Sequence, residues 1–179
     1  ITLKSHKSGS DRIYEIYERF YKGYQIIVNL QGDMPYFSSD LIKETLKLMN
    51  DNTVDIATSA IKLAEEKRSN LNVVKVKVKM NSKEVGFAED FFRNHSPLKD
   101  LYHHIGIYVY TSLSLKKFIG LKQTRNEKNR KLEQMRALDN NLKIKVALTS
   151  HEPISVDSIS DLRKARYFYK RRFKNNAED

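Results

Sequence analysis

The amino-acid sequence predicts an α/β fold, and three observations point to it. Short β-branched runs alternate with segments of helical periodicity over most of the 179 residues, an order typical of strands joined through helices. The run Ile26–Leu30 lacks a helical period and is followed by Gly32 and Pro35, which indicates a buried strand. Apolar residues also alternate at strand spacing in 54–60, 74–80, 104–110 and 144–148. The length of the chain indicates one domain, 1–179.

Four helices are predicted in addition to these strands. Ser10 is the expected N-cap of the first helix, which Gly23 ends, and Ser38 is the expected cap of the second. Apolar residues at helical spacing predict a third helix over 127–138 and a terminal helix after Asp161.

The composition limits the classes of function. Without cysteine the chain has no disulfides, thiol catalysis or thiolate metal sites. The formal net charge of +11 indicates a polyanionic partner or a basic solvated surface. Lys75, Lys77 and Lys79 alternate with apolar residues, which favours a strand face in water over a nucleic-acid groove. No apolar stretch approaches the roughly 20 residues of a membrane helix, so we expect a cytoplasmic protein.

The residues after the run Ile26–Leu30 are candidates for a site. Gln31 has an amide that can recognise a polar ligand, Gly32 allows close approach of the backbone, and Asp33 is the hard oxygen ligand that Mg²⁺ prefers. Ligands of open α/β sheets bind beyond the carboxyl ends of strands. The same residues are also typical of a strand-to-helix turn in which Asp33 is a turn former.

A second candidate lies in the strand predicted over 104–110. His104, Gly106, Tyr108 and Tyr110 share one face of this strand. A histidine and a tyrosine that flank a glycine leave room for a small polar ligand. A hydrogen-bonded core histidine fits the pattern equally well.

The terminal helix is strongly basic. The stretch 163–174 holds seven basic residues and no acid, interleaved with aromatic residues. Such a segment can bind RNA. Leu162, Ala165 and Phe168 at helical spacing favour instead a helix that docks on the domain. Asp157 precedes this helix, where an N-cap is its ordinary role.

Several motifs, in this order, resemble the family of 3-deoxy-D-manno-octulosonate (Kdo) cytidylyltransferases, the CMP-Kdo synthetases. No single motif is specific, but the ordered set spans nearly the whole chain. The matching stretches are Ser8-Gly-Ser-Asp-Arg12, Ile27-Val-Asn-Leu-Gln-Gly-Asp-Met-Pro35, Asn72-Val-Val-Lys-Val76, His104-Ile-Gly-Ile-Tyr108, Leu132-Glu-Gln-Met-Arg136 and Val156-Asp-Ser-Ile-Ser-Asp-Leu162.

The resemblance implies a fold and a reaction. Members of the family have a mostly parallel sheet flanked by helices, similar to that of nucleotide-diphospho-sugar transferases, and form homodimers. Here 72–110 is the implied dimerisation subregion. They join CTP to Kdo, which gives CMP-Kdo and pyrophosphate for lipopolysaccharide synthesis, with no nucleic acid or membrane as a partner. By resemblance Asp33 and Asp157 are catalytic and hold Mg²⁺. The implied sugar-binding residues are Gln31, His104, Tyr108, Glu133 and Gln134, and the implied nucleotide-binding residues are Ser8, Gly9 and Arg12.

The chain departs from the family pattern in two places. The family's first strand and its proline-rich phosphate loop have no counterpart in 1–179. Without the loop we expect weak binding of CTP and no measurable turnover by these residues alone. Without the strand we expect an unpaired edge on the strand Ile26–Leu30. The stretch Phe87-Ala-Glu-Asp90 stands where the family has Tyr-Phe-Ser-Arg, so an arginine expected to meet the sugar carboxylate is replaced by acid. The alternatives are a catalytically silent relative that binds a ligand or a protein, and an RNA-binding module that uses the basic helix.

Overall fold

The computed structural model describes residues 2–3, 5–94, 96, 98, 100–151, 154–156 and 158–174. Its helices are α1 Gly9–Phe20, α2 Ser39–Lys47, α3 Ser112–Gly120, α4 Arg125–Arg130, α5 Gln134–Asp139 and α6 Ile159–Lys174. Its strands are β1 Ile26–Leu30, β2 Ile56–Lys62, β3 Lys75–Met80, β4 Val85–Phe92, β5 Leu101–Thr111 and β6 Ile144–Leu148.

The strands form one mixed sheet. Their order is β1-β5-β2-β6-β4-β3, and β3 also pairs with β5. Five strands therefore pair in a closed circuit, and β1 is added to it along an edge of β5. The α/β class is confirmed, but the expectation of mostly parallel pairing is wrong: among the described strands β2 and β6 are the parallel pair, and the other pairs are antiparallel. The reason is that β5 runs between β1 and β2, which both point the opposite way.

Helices cover both faces of β5. On one face Tyr108 and Tyr110 pack with Leu115 and Phe118 of α3, and the rings of Tyr110 and Phe118 lie 6.1 Å apart. On the other face Ile105 and Ile107 pack against Leu41 of α2. Full burial of one such side chain stabilises the fold by about 1.5–3 kcal/mol. The predicted alternation of the two faces of this strand is confirmed.

Local backbone geometry differs from the sequence prediction at two helices. Ser8, not Ser10, caps α1, because its side chain accepts a hydrogen bond from the Asp11 N–H. Ser10 lies inside the helix and is buried. The helix expected over 127–138 is divided into α4 and α5, because Lys131 adopts a left-handed conformation with φ of 54° that ends α4. Neither α3 nor β4 was predicted.

The terminal helix α6 docks through a narrow stripe. Ala165 is buried, and the ring of Phe168 lies 5.5 Å from that of Tyr36. Leu162 and Phe168, which were both expected to pack inward, are each 38% exposed. Within the part of the chain that the structure describes, no helix is both long enough and apolar enough to cross a bilayer.

Strand β1 has an open edge. It pairs with β5 on one side, and among the described residues no strand pairs with its other side. Ile26 and Leu30 are 40% and 41% exposed. Three exposed aromatic residues precede the strand and contact one another edge to edge, namely Phe20, Tyr21 and Tyr24. The expectation of an unpaired, apolar edge is therefore confirmed.

We predict that a protein consisting of residues 1–179 self-associates through this edge, because unpaired N–H and C=O groups beside apolar side chains favour strand pairing between molecules. Ile26→Lys should shift the protein towards monomer in sedimentation velocity over a concentration series, since an edge lysine opposes such pairing. Leu71→Lys is the matched control, because Leu71 is exposed outside the sheet. Equal association of both variants and the parent would contradict the prediction.

Candidate functional site

A cavity of about 950 Å³ opens where two strands meet end to end along one edge of β5. The carboxyl end of β1 lies opposite Ile107, and the amino end of β3 lies opposite His103. Both strands run antiparallel to β5, so the end of β1 faces the start of β3 across the stretch 104–106. The chain turns away from the sheet on both sides of this gap, and the cavity occupies the space that it leaves.

Most of the predicted site residues lie on the wall of this cavity. Arg12 does not, because its guanidinium donates instead to Thr2 Oγ1 (2.8 Å) and the Leu3 carbonyl (3.2 Å) at the surface. Asp157 falls outside the described residues, so its predicted proximity to Asp33 stays a prediction. The predicted residues on the wall are Ser8, Gly9, Gln31, Asp33, His104, Tyr108, Glu133 and Gln134.

The Gln31 side chain is held between two glycines. A Cβ on Gly106 would lie 2.8 Å from Gln31 Cγ and 2.6 Å from Met34 Cε. A Cβ on Gly9 would lie 3.5 Å from Gln31 Nε2. The space beside Gly106, which the sequence analysis assigned to a ligand, is thus filled by Gln31 and Met34, and the glycine positions the Gln31 amide at the cavity.

His104 is a buried, neutral histidine on the floor of the cavity. Thr58 Oγ1 donates to the Ile107 carbonyl at 2.6 Å and lies 2.9 Å from His104 Nε2. The Thr58 hydroxyl has one proton, which it donates to the Ile107 carbonyl. His104 Nε2 must therefore carry a proton and donate it to Thr58 Oγ1, which leaves Nδ1 as an acceptor. Burial lowers the His104 pKa to about 3. The core alternative from the sequence is confirmed, and the ring also borders the cavity; that it contacts a ligand stays a prediction.

Glu133 lies against the amino end of α1. The Ser10 N–H donates to Glu133 Oε2 at 3.2 Å, and the positive end of a helix dipole favours such a carboxylate. Burial nevertheless raises the Glu133 pKa. The pKa of Tyr108 is raised, mainly by burial. The charge of Glu133 raises this pKa further, and the charge of Arg93 lowers it.

A buried arginine joins the helices around Glu133. Arg136 is 1% exposed and donates to both carboxylate oxygens of Glu127, at 2.9 and 2.6 Å. Its guanidinium also lies 3.6 Å from Asp11 and 4.7 Å from the centre of the Phe118 ring. Bidentate pairs of this kind fix orientation as well as charge. Arg136 therefore ties the amino end of α1 to α4 and α5.

Arg93 is a cavity residue that the sequence analysis missed. It follows β4 and lines the cavity, and its Nη1 donates to the carbonyls of Leu71 (3.2 Å) and Asn72 (3.1 Å). The expectation that acid replaces arginine on this wall is therefore wrong. The sequence signal was the pair of aromatic residues before Arg93, directly after the stretch Phe87–Asp90 that we compared with the family motif.

Basic residues surround the cavity. Their positive charge favours an anionic ligand. The acids on the wall are Asp33, Glu127, Glu133 and Asp161. Within the described ranges no cluster of three or more acids or histidines could hold a metal ion. The Asp33 carbonyl accepts from the Val156 N–H at 2.8 Å, which fastens the segment before α6 to this wall. The basic residues on the wall are Lys7, Lys67, Arg93, Lys128, Lys131 and Lys164.

Comparison with known proteins identifies relatives of this chain. Residues 1–144 match a family model described as cytidylyltransferase. A 3-deoxy-manno-octulosonate cytidylyltransferase of Bartonella henselae is 40% identical over 171 residues, which cover 93% of this chain and 70% of the relative. The corresponding protein of Brucella canis is 38% identical over 177 residues, 94% of this chain and 69% of the relative.

Solved structures show the same fold. A CMP-2-keto-3-deoxy-manno-octonic acid synthetase in complex with CTP superposes with a TM-score of 0.84 at 25% identity, over 95% of this chain and 71% of the other. A UDP-glucose pyrophosphorylase superposes with a TM-score of 0.67 at 15% identity, over 97% of this chain and 64% of the other. The latter likeness concerns the fold alone.

We predict that His104 makes the folded state sensitive to acid. Its folded-state pKa of about 3 lies below the ordinary value of 6.5. Between these two pH values the His104 imidazole is therefore protonated in the unfolded chain and neutral in the folded chain. Its contribution to stability is complete above about pH 6.5 and is lost as the pH falls towards 3, at up to about 1.4 kcal/mol per pH unit.

Urea unfolding of the parent and of His104→Gln between pH 4 and 7 checks this prediction, which expects a flatter pH dependence in the variant. His151→Gln is the control, because it makes the same substitution at another histidine, in the segment after β6. Parallel pH profiles for the parent and His104→Gln would show that His104 does not set the slope.

Proposed function

Because the chain belongs to the family of 3-deoxy-manno-octulosonate cytidylyltransferases, we propose that its cavity transfers the cytidylyl group of CTP to Kdo and releases pyrophosphate. The product is an activated sugar for lipopolysaccharide synthesis. The observation that carries the proposal is the convergence of the predicted sugar-binding residues on one cavity, whose wall also carries six lysine and arginine residues.

The sugar acid occupies the wall formed by β5, Gln31 and Arg93. Kdo carries one carboxylate and several hydroxyl groups, and the planar donor fork of Arg93 suits the carboxylate. The amides of Gln31 and Gln134 can donate to and accept from hydroxyl groups, and neutral His104 offers an acceptor nitrogen. Such buried polar groups discriminate strongly against analogues that lack the matching hydroxyl.

The nucleotide lies towards the amino end of α1. Ser8 and Gly9 line the cavity there, and the start of a helix of 12 residues is favourable for phosphate. Glu133 already accepts from the Ser10 N–H, so this donor is not available to a phosphate. The nucleotide therefore lies on the side of the helix start that faces Ser8. The exposed Lys7 on the same rim adds positive charge near the phosphates.

The reaction is an in-line displacement at the α-phosphate of CTP. The anomeric hydroxyl oxygen of Kdo forms a bond to phosphorus, the bond to the pyrophosphate oxygen breaks, and the hydroxyl proton is lost. The residues of this chain act by holding the two substrates in line and by balancing charge, which are the main sources of rate enhancement in such transfers.

Mg²⁺ is the proposed cofactor, with Asp33 as a ligand and Asp157 as the expected second ligand. One or two carboxylates together with substrate phosphates are the usual protein environment of Mg²⁺, and Asp33 supplies a carboxylate on the cavity wall. When bound, the ion offsets phosphate charge and lowers the pKa of the attacking hydroxyl. A homodimeric assembly, which the family resemblance implies, and a cytoplasmic location are further proposals.

The function is tested with a chimera in which the opening segment of the Bartonella henselae relative precedes residues 1–179. We expect pyrophosphate release that requires both CTP and Kdo, and no measurable release by residues 1–179 alone, since the phosphate loop holds CTP. A chimera that binds both substrates but releases no pyrophosphate would favour the silent relative, and one that binds neither would contradict the proposed function.

Mg²⁺ should tighten CTP binding to the chimera, and Asp33→Asn should remove at least about tenfold of that enhancement, because a neutral amide is a much weaker ligand for a hard cation. Isothermal titration of CTP with and without Mg²⁺ measures the effect. Asp40→Asn is the matched control, since Asp40 is an exposed acid at the start of α2. Equal Mg²⁺ enhancement in parent and Asp33→Asn would exclude Asp33 as the ligand.

A further inference from the structure

Strand β3 carries a lysine whose side chain is buried. The alternation of Lys75, Lys77 and Lys79 with apolar residues predicts that the three lysines share a strand face in water. Lys77 pairs with Glu89 at 2.8 Å near the surface, and Lys79 is exposed. Lys75 is only 1% exposed and ranks among the largest fully buried side chains of the protein.

The ammonium group of Lys75 contacts main-chain oxygens. Its Nζ donates to the carbonyl of Asn70 at 2.7 Å and to that of Arg93 at 2.6 Å. None of the ion pairs in the described part of the chain includes Lys75. Burial, and next the positive charge of Arg93, lower its pKa. A buried cation beside a second cation is costly unless an anion compensates it.

Lys75 and Arg93 each connect the segment 70–72 with the residue Arg93 that follows β4. Lys75 joins the carbonyl of Asn70 to that of Arg93. The Arg93 guanidinium reaches back to the carbonyls of Leu71 and Asn72. Asn70, Asn72 and Arg93 all line the cavity. The two cross-links therefore fix both the backbone of Arg93 and the direction of its side chain.

We propose that Lys75 is a positioning residue for the sugar-acid part of the site: its ammonium holds Arg93 in place and adds a second positive charge behind it, so that this end of the cavity is preorganised for one carboxylate. This rests on the proposed function, because the carboxylate is that of Kdo. The bound carboxylate supplies a negative charge that no ion pair among the described residues gives to these two cations, and the otherwise unfavourable burial of Lys75 is then balanced by ligand affinity.

A purely structural lysine and a positioning lysine predict different losses of affinity. We expect Lys75→Met to weaken binding of Kdo about tenfold or more, because one unit charge near the carboxylate is removed, and to change binding of Kdo methyl ester less than twofold. Isothermal titration of the chimera with the two probes measures this. Lys79→Met, the same change four residues along β3, should leave both affinities unaltered.

Unaltered affinity of Lys75→Met for Kdo would overturn the proposal. So would equal losses for the acid and the ester, since these would indicate general damage to the wall. Lys75→Gln is the second variant, because it removes the charge but keeps a donor and so tolerates the neighbouring carbonyls. It should also lose affinity for the acid rather than the ester.

A measurement without ligand separates this proposal from the function on which it rests. The Nε signal of Arg93, assigned in ¹⁵N-arginine-labelled protein by its absence in Arg93→Lys, should show a rigid side chain in the parent and in Lys79→Met. It should show fast motion in Lys75→Met. Equal rigidity in Lys75→Met would refute the positioning role. If the parent binds neither Kdo nor its ester, the proposed function fails, and the NMR result still decides the role of Lys75.

Discussion

Main-chain hydrogen bonding along both edges of β5 is the constraint on which the rest of the structure depends. One edge pairs with β2, and the other edge is shared by β1 and β3, which meet end to end. Two strands cannot both continue along the same edge, so the chain leaves this edge of β5 after β1 and returns to it only at β3, after β2 has paired with the opposite edge. The cavity follows from that conflict, and its floor includes Gly106, in the gap between the two strands, and His104, whose N–H bonds to the Val74 carbonyl just before β3.

Buried charges then hold the walls of the cavity. Arg136 connects Glu127 and Asp11 on one side, and Lys75 connects the segments around Arg93 on the other. Such groups are a poor source of stability, since desolvation offsets much of the Coulomb energy. Their hydrogen bonds have strict geometry, however, and they restrict the wall to one arrangement. Rigidity of this kind is what a site that works by positioning requires.

The parts of the fold and site that the sequence predicts are those that local patterns encode. The strand Ile26–Leu30, the helical spacing in α2 and the polar residues after β1 are visible in short windows of sequence. Strand direction and pairing depend on contacts between distant segments, so the antiparallel course of β5 beside β1 was not accessible.

The errors over individual residues have the same origin. The alternation of Lys75 with apolar neighbours is identical to that of Lys77, and only the packing of distant segments buries one of them. Ser8 and Ser10 are equally good caps by residue type, and the contact of Ser10 with Tyr110, at 3.0 Å, places Ser10 inside the helix. Lys131 carries no local signal for a left-handed turn, since glycine or asparagine is the usual residue there.

The electrostatic layout of the cavity also determines how an acidic sugar lies in it. Tyr108 is within range of both Glu133 and Arg93, whose charges act on its pKa in opposite directions. A carboxylate placed near Glu133 would meet another carboxyl group of raised pKa in a buried setting. Near Arg93 it would meet two cations for which the described residues provide no ion pair. The proposed orientation therefore has the carboxylate at the Arg93 end, with the remaining hydroxyl groups of the sugar towards Glu133 and α1. The attacking anomeric hydroxyl lies on the carbon that carries the carboxyl group, so this orientation requires the α-phosphate of CTP to reach from the proposed nucleotide position at Ser8 and Gly9 towards the Arg93 end of the cavity.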